Sequence, residues 1–310
     1  MAKNTPPPRP TIPIFGPLFH LLGGPARRVA PLVAILLALG GLGYWAWTQQ
    51  QSHIENDPVY QVTLEKIVLT PSPEWIATDV KAEALRDASL DPPLSALDPL
   101  LAERVAKALA FHPWIASVTR VRKTAPGGLD CEVVYRRPVC MVELPPTEQG
   151  KRGLYAVDIE GILLPSRDFL DEPKRAARYP RLGGFAPSDV GRVGTRWPDA
   201  RVVGGAKLAA ILADSWLKLT LSKIVPTESS NATSAATYEL LTDHGSRIVW
   251  GHAPGNEAER EAPAVKKIEA LIRYVADHKS LEGRNGPQQL DVREAEVIVV
   301  AEQPSKRNLK

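Results

Sequence analysis

Acidic residues are missing from the first 28 positions, and charge of either sign is missing from the next 19. Lys3, Arg9, Arg27 and Arg28 give residues 1–28 a charge of +4, which leaves 34 basic against 35 acidic side chains in the remainder. The pI of 8.8 therefore belongs to one short arm. It gives no basic surface to the body of the chain, and nucleic acid is not an expected partner. Only two cysteines are present, Cys131 and Cys140, both in the extended-looking run LDCEVVYRRPVCMVEL. Nine residues of strand separate their positions by roughly 30 Å, beyond disulfide reach. They read as free, buried, small hydrophobes. The catalytic signatures GxSxG, HExxH, CxxC, Walker loop and GxGxxG are absent as well, and no two of the six histidines stand four apart. No catalytic residue, metal or cofactor is expected, and the chain reads as a non-enzyme.

What is present begins with VAPLVAILLALGGLGYWAW, residues 29–47. Nineteen helical residues rise about 28 Å, close to the roughly 30 Å of a bilayer's hydrocarbon core. Tyr44, Trp45 and Trp47 gather at one end, where amphipathic rings favour the interface, and Arg27 and Arg28 abut the other. The positive-inside rule puts residues 1–28 in the cytoplasm and the bulk of the chain outside it. A cleaved signal sequence has a shorter apolar run and a small-residue cleavage site, so an uncleaved single-pass anchor is expected. The arm before it, with PPPRP at 6–10, lacks a helical period and enough apolar mass to fold, and is expected to be disordered. It serves as a topology-setting tail or as a ligand for a cytoplasmic partner.

Beyond the anchor, VYQVTLEKIVLT (59–70) reads as a strand. Ser72-Pro73-Glu74 carries helix-start signals for a helix to about Ala88, and Asp98-Pro99 carries them for a second. Leu101, Val105, Ala108 and Leu109 line one face of the second helix, which must stop near His112 because Pro113 follows. Trp114 then serves as an apolar plug. Ile115–Lys123 and Leu129–Tyr135 read as strands around a Pro126-Gly127-Gly128 turn. The order is β-α-α-β-β, with Trp114, Leu101, Val105 and Leu109 as expected core.

This order is that of a POTRA domain, and the phrasing resembles the FtsQ/DivIB cell-division family. Pro113-Trp114-Ile115 with Val118 and Val121 is similar to the family's Pro-Trp-Val junction, and Arg136-Arg137-Pro138-Val139-Cys140 to its Arg-x-Pro-Val-Ala phrase. Ala125 and Tyr135 depart from the pattern, standing where Trp and an acid are usual. Further phrases follow in family order. These are Leu154–Asp158 with Gly161, Tyr179-Pro180-Arg181-Leu182-Gly183, the Asp243-His244-Gly245 hairpin ending at Gly251, and Leu290-Asp291-Val292-Arg293 before a closing strand. Helices are expected over 206–219 and 257–277.

The expected fold class is α+β: a single N-terminal transmembrane helix, a β-α-α-β-β POTRA domain, then a mixed β-sheet domain with helices. The divisions are a cytoplasmic arm at 1–28, the helix at 29–47, the POTRA unit at 58–144, the β domain at 145–302 and a tail at 303–310. The resemblance implies a non-catalytic bitopic division protein of the inner membrane, its bulk periplasmic, that recruits and regulates septal envelope proteins. Its implied partners are an FtsB/FtsL-type coiled-coil pair at the closing strand and other divisome proteins at the POTRA unit. A POTRA-bearing protein of secretion or outer-membrane assembly and a tethered envelope enzyme are the competing readings.

The closing strand, Val297–Val300, offers a reading from its own residues. Alternation puts Glu294, Glu296, Ile298 and Val300 on one face, mixing acids with aliphatics in a way that suits neither core nor solvent. At a sheet edge, this strand with Arg293 before it could template an incoming strand. Asp158, Asp243 and Asp291 sit at strand ends or turns, where backbone hydrogen bonding favours Asp, and Arg293 suits pairing with a neighbouring acid.

Overall fold

A computed structural model describes residues 26–55, 57–146, 153–170, 173–227, 236–284 and 286–302. The expectations for the arm and for the C-terminal tail fall outside them, apart from the last residues of the arm. The fold is α+β, with one apolar N-terminal helix followed by sheets of mixed strand orientation. Helix α1 spans Ala26–Glu55. Within it Pro31–Gln49 has a mean hydropathy of 1.5, so among the described residues one helix is long and apolar enough to cross a membrane.

From Val62 onward the chain forms one compact unit whose core is built on two sheets, of three and eight strands, apart from a short two-stranded pair. The smaller sheet holds β1 (Ile67–Leu69), β2 (Ile115–Thr124) and β3 (Gly128–Tyr135) in the order β1-β3-β2. β3 runs parallel to β1 and antiparallel to β2. Helices α2 (Val80–Asp87) and α3 (Leu101–Phe111) lie between β1 and β2 in sequence, which gives the order β-α-α-β-β. α3 ends where Pro113 requires: His112 has φ −72° and ψ 132°, already extended. Leu101, Val105, Leu109 and Trp114 are buried in one cluster with Ile67, Leu85, Ile115 and Leu129.

The larger sheet has eight strands. They are β4 (Pro138–Glu143), β5 (Leu154–Asp158), β6 (Arg181–Leu182), β7 (Leu221–Thr227), β8 (Thr237–Thr242), β9 (Arg247–His252), β10 (Gln288–Asp291) and β11 (Ile298–Glu302). Their order is β11-β10-β9-β8-β7-β6-β4-β5. The β8–β9 hairpin turns at Asp243–Gly245, where Gly245 has φ +99°. Strand β4 carries the chain from one sheet to the next and is buried on both faces. Cys140 and Val142 join the larger core, while Met141 points into the smaller one. Ala156, Leu164, Phe169 and Ala176 complete that smaller core, so residues after 144 help to close the β-α-α-β-β unit. Cys131 and Cys140 are free and buried. Burial pushes the Cys131 thiol up to about 11 and that of Cys140 higher still.

Two short helices, α4 (Arg167–Leu170) and α5 (Pro173–Ala176), follow β5, and three longer helices differ from their local signals. α2 begins at Val80, capped by the Asp79 carboxylate on the Ala82 amide, and not at Ser72-Pro73. The amides of Ala77 and Thr78, which a helix from Pro73 would use internally, donate instead to Asp168 Oδ1, both at 3.0 Å. Helix α6 covers Arg201–Leu212 in place of 206–219. Asp199 takes the Arg201 amide at its start, and the residues after Leu212 turn so that Trp216 and Leu219 are buried. Helix α7 covers Ala264–His278 in place of 257–277, because Pro263 opens it and the preceding Glu261 is held elsewhere.

Candidate protein-binding interface

The site begins at the end of β9. Gly251 has φ +94°, a conformation that β-carbon sterics disfavour, and a Cβ there would fall 2.1 Å from Glu261 Oε1. That space holds a buried ionic network. Lys267, fully buried on α7, donates to the Trp250 carbonyl at 2.8 Å and to Glu261 Oε1. The His252 amide donates to the same oxygen at 2.7 Å, and His252 Nδ1 meets Glu261 Oε2 at 2.6 Å. Burial pushes the Glu261 carboxyl up, but the hydrogen bonds from Lys267, His252 and the backbone outweigh it and hold it at about 2. The next amide, Ala262, donates to the Arg293 carbonyl at 2.7 Å. The network thus anchors the corner from which the last strand departs.

At that corner Asp291 accepts the Arg293 amide at 3.0 Å and its guanidinium at 2.6 Å. The pairing keeps Asp291 below the usual carboxylate range, against burial, and uses Arg293 locally. Val292 is buried and Ala295 has φ +61°, its amide donating to the Val292 carbonyl at 3.1 Å. This turn is where the expected alternation fails. Residues 293–296 are not strand, so Glu294 and Glu296 do not share a strand face with Ile298 and Val300. They are exposed on the turn leading into it. Val297 packs partly against the larger core.

Strand β11 begins at Ile298. It pairs antiparallel with β10 through Asp291↔Ile298, Leu290↔Val299 and Gln288↔Glu302, and among the described residues nothing pairs with its other side. Ile298, Val299 and Val300 are 51, 45 and 56% exposed. Three consecutive exposed aliphatics on an open edge leave both backbone hydrogen-bonding groups and apolar side chains available to an added strand. The structure brings Arg293 and Glu294 together at the corner, and Ile298 and Val300 together on the strand. It does not join the two groups into one face. The buried Lys267–Glu261–His252 network was not legible beforehand, since Lys267 lies in an ordinary amphipathic helix pattern.

Among the described residues no group of three or more His, Cys, Asp or Glu is arranged to hold a metal ion. Asp158, buried, accepts the amides of Glu160 and Ile162 and the Arg136 guanidinium at 2.8 Å, so it fixes a turn.

No family model matches the chain. It is similar to the cell division protein FtsQ of Anaeromyxobacter sp. (strain K), with 36% identity over 114 residues, 32% of this chain and 36% of that protein. The match thus spans about a third of the relative's length.

Proposed function

We propose that this chain is a non-catalytic, membrane-anchored cell-division protein that recruits and regulates septal envelope proteins through protein–protein contacts. The observation that carries this reading is the open aliphatic edge of β11, and the partial similarity to FtsQ of Anaeromyxobacter supports it. A partner segment adds to β11 as a further antiparallel or parallel strand. Backbone pairing supplies affinity, and Ile298 and Val300 select the partner's side chains. Arg293, Glu294 and Glu296 stand at the entry to the strand, where rim charges steer encounter more than they hold. The partner class is the FtsB/FtsL-type coiled-coil membrane protein. The β-α-α-β-β unit is read as a POTRA domain that meets other divisome proteins.

Depleting the protein in its native cell tests the role. The expected outcome is long filaments with unfinished septa and recovery on re-expression; normal division after depletion contradicts it.

The proposed topology is a single pass through the inner membrane, with residues 1–28 cytoplasmic and the bulk periplasmic. It rests on four basic residues before the uncharged span. Alkaline phosphatase fused after Lys310 is expected to be active, and a cytoplasmic reporter fused there inactive. The reverse pattern would invert the topology.

A further inference from the structure

A cleft of about 1040 Å³ opens where the connection from β3 to β4 crosses the segment after α5 (Pro173–Ala176). It is at the upper end of the roughly 300–1,000 Å³ typical of ligand pockets. Trp75, Tyr135, Val139 and Ile159 supply apolar wall, and Ile159 is half exposed. Arg137, on the connection into β4, and Lys174, Arg175 and Arg178, on and just after α5, supply the cations. Arg136 also lines the cleft, but it is bound to Asp158 at 2.8 Å and Glu160 at 3.2 Å. That pairing, and the Trp75 indole donating to the Arg136 carbonyl at 3.1 Å, fixes the floor.

With Arg136, Asp158 and Glu160 satisfied among themselves, Arg137, Lys174 and Arg178 face two lining carboxylates, Glu74 and Asp214. Among the described residues no carboxylate lies within ion-pair distance of Arg137, Lys174 or Arg178. Tyr179 sits within this group. Burial raises its phenol, and the guanidiniums of Arg137, Arg175 and Arg178 act together against that rise. Guanidiniums favour carboxylates in paired, planar contacts.

We propose that this cleft binds an acidic peptide segment of a partner protein, its carboxylates on Arg137 and Arg178 and its apolar side chains against Trp75 and Ile159. The mixture of charge and apolar wall favours a peptide over an anionic lipid surface. Glu74 and Asp214 would repel a continuous polyanion, whereas a peptide presents amides or cations at those points. The site is independent of the β11 edge: the residues that define it lie between 74 and 214.

The test uses the full chain in non-ionic detergent and a fluorescein-labelled octapeptide alternating glutamate and leucine, followed by fluorescence anisotropy. Saturable binding at least about tenfold tighter than that of the glutamine–leucine analogue is expected. Arg137→Gln and Arg178→Gln should each weaken it by about tenfold with melting temperatures unchanged, Arg178→Lys should retain most of it, and Ile298→Glu should leave it intact. Failure of the peptide to bind, equal binding by wild type and the Arg137→Gln/Arg178→Gln double variant, or loss in these variants only of association with phosphatidylglycerol micelles would overturn the proposal. Since Ile298→Glu is the probe for the edge, the two surfaces can fail separately.

Discussion

Trp114→Ala is expected to destabilise the folded chain by about 3–5 kcal/mol, the cost of deleting a large buried aromatic. The residue is wholly buried in the smaller core. Its indole donates to Asp168 Oδ2 at 2.8 Å, its ring lies 6.2 Å from that of Phe169, and its carbonyl takes the Arg136 amide at 2.8 Å. Asp168 in turn holds the Ala77 and Thr78 amides that shape the approach to α2. The alanine variant therefore opens a cavity and leaves a buried carboxylate oxygen without its donor. Trp114→Phe retains most of the volume and removes only the indole donor, and should lose about 1–3 kcal/mol. Thermal melting of the full chain in detergent separates the two, with the alanine midpoint lower by about 6–20 °C. An unchanged midpoint with weakened partner capture would make Trp114 a contact residue.

The second large effect is expected at Glu261. Glu261→Gln leaves Lys267, fully buried, without its counter-charge, and removing one partner of a buried pair costs about 3–5 kcal/mol. The carboxyl also makes stability depend on pH. Its value in the folded chain is about 2, against 4.5 for the ordinary side chain. Its contribution is therefore complete above about pH 5 and is lost as pH falls toward 2. Urea unfolding from pH 7 to pH 3 should show the wild-type midpoint falling below pH 5, with a shallower fall in Glu261→Gln. Parallel curves with equal midpoints at pH 7 would contradict the role given to the network. Because Ala262 holds the Arg293 carbonyl, the variant should also loosen the corner before β11.

Much of the fold follows from local chemistry. Pro113 stops α3 at His112, Gly245 makes the β8–β9 turn, and the apolar face of α3 is the one that is buried. What local chemistry could not supply is set by groups distant in sequence. The helix-start signals at Ser72-Pro73 lose to Asp168, about 90 residues away, and the helix expected from residue 257 begins only at Ala264, with Glu261 held by His252 and Lys267. The closing strand was legible as a strand, and the aliphatic oddity of Ile298 and Val300 as a hint of contact. Its shared face with Glu294 and Glu296 was not real, because Ala295 adopts a left-handed conformation that few side chains favour and periodicity does not register. The edge position depends on the order of eight strands. The acidic-peptide cleft draws on residues from Glu74 to Asp214, which no single stretch of sequence brings together.

The open edge of β11 is proposed to receive a partner strand. Ile298→Glu leaves the backbone intact and puts a charge on a residue that is 51% exposed, so folding should hardly change. The decisive measurement is capture of the FtsB/FtsL-type pair by the full chain, wild type and Ile298→Glu side by side, with melting temperatures recorded for both. Capture by Ile298→Glu should fall at least about tenfold at an unchanged melting temperature. Undiminished capture by a folded Ile298→Glu chain would contradict the proposal and move the contact away from this edge.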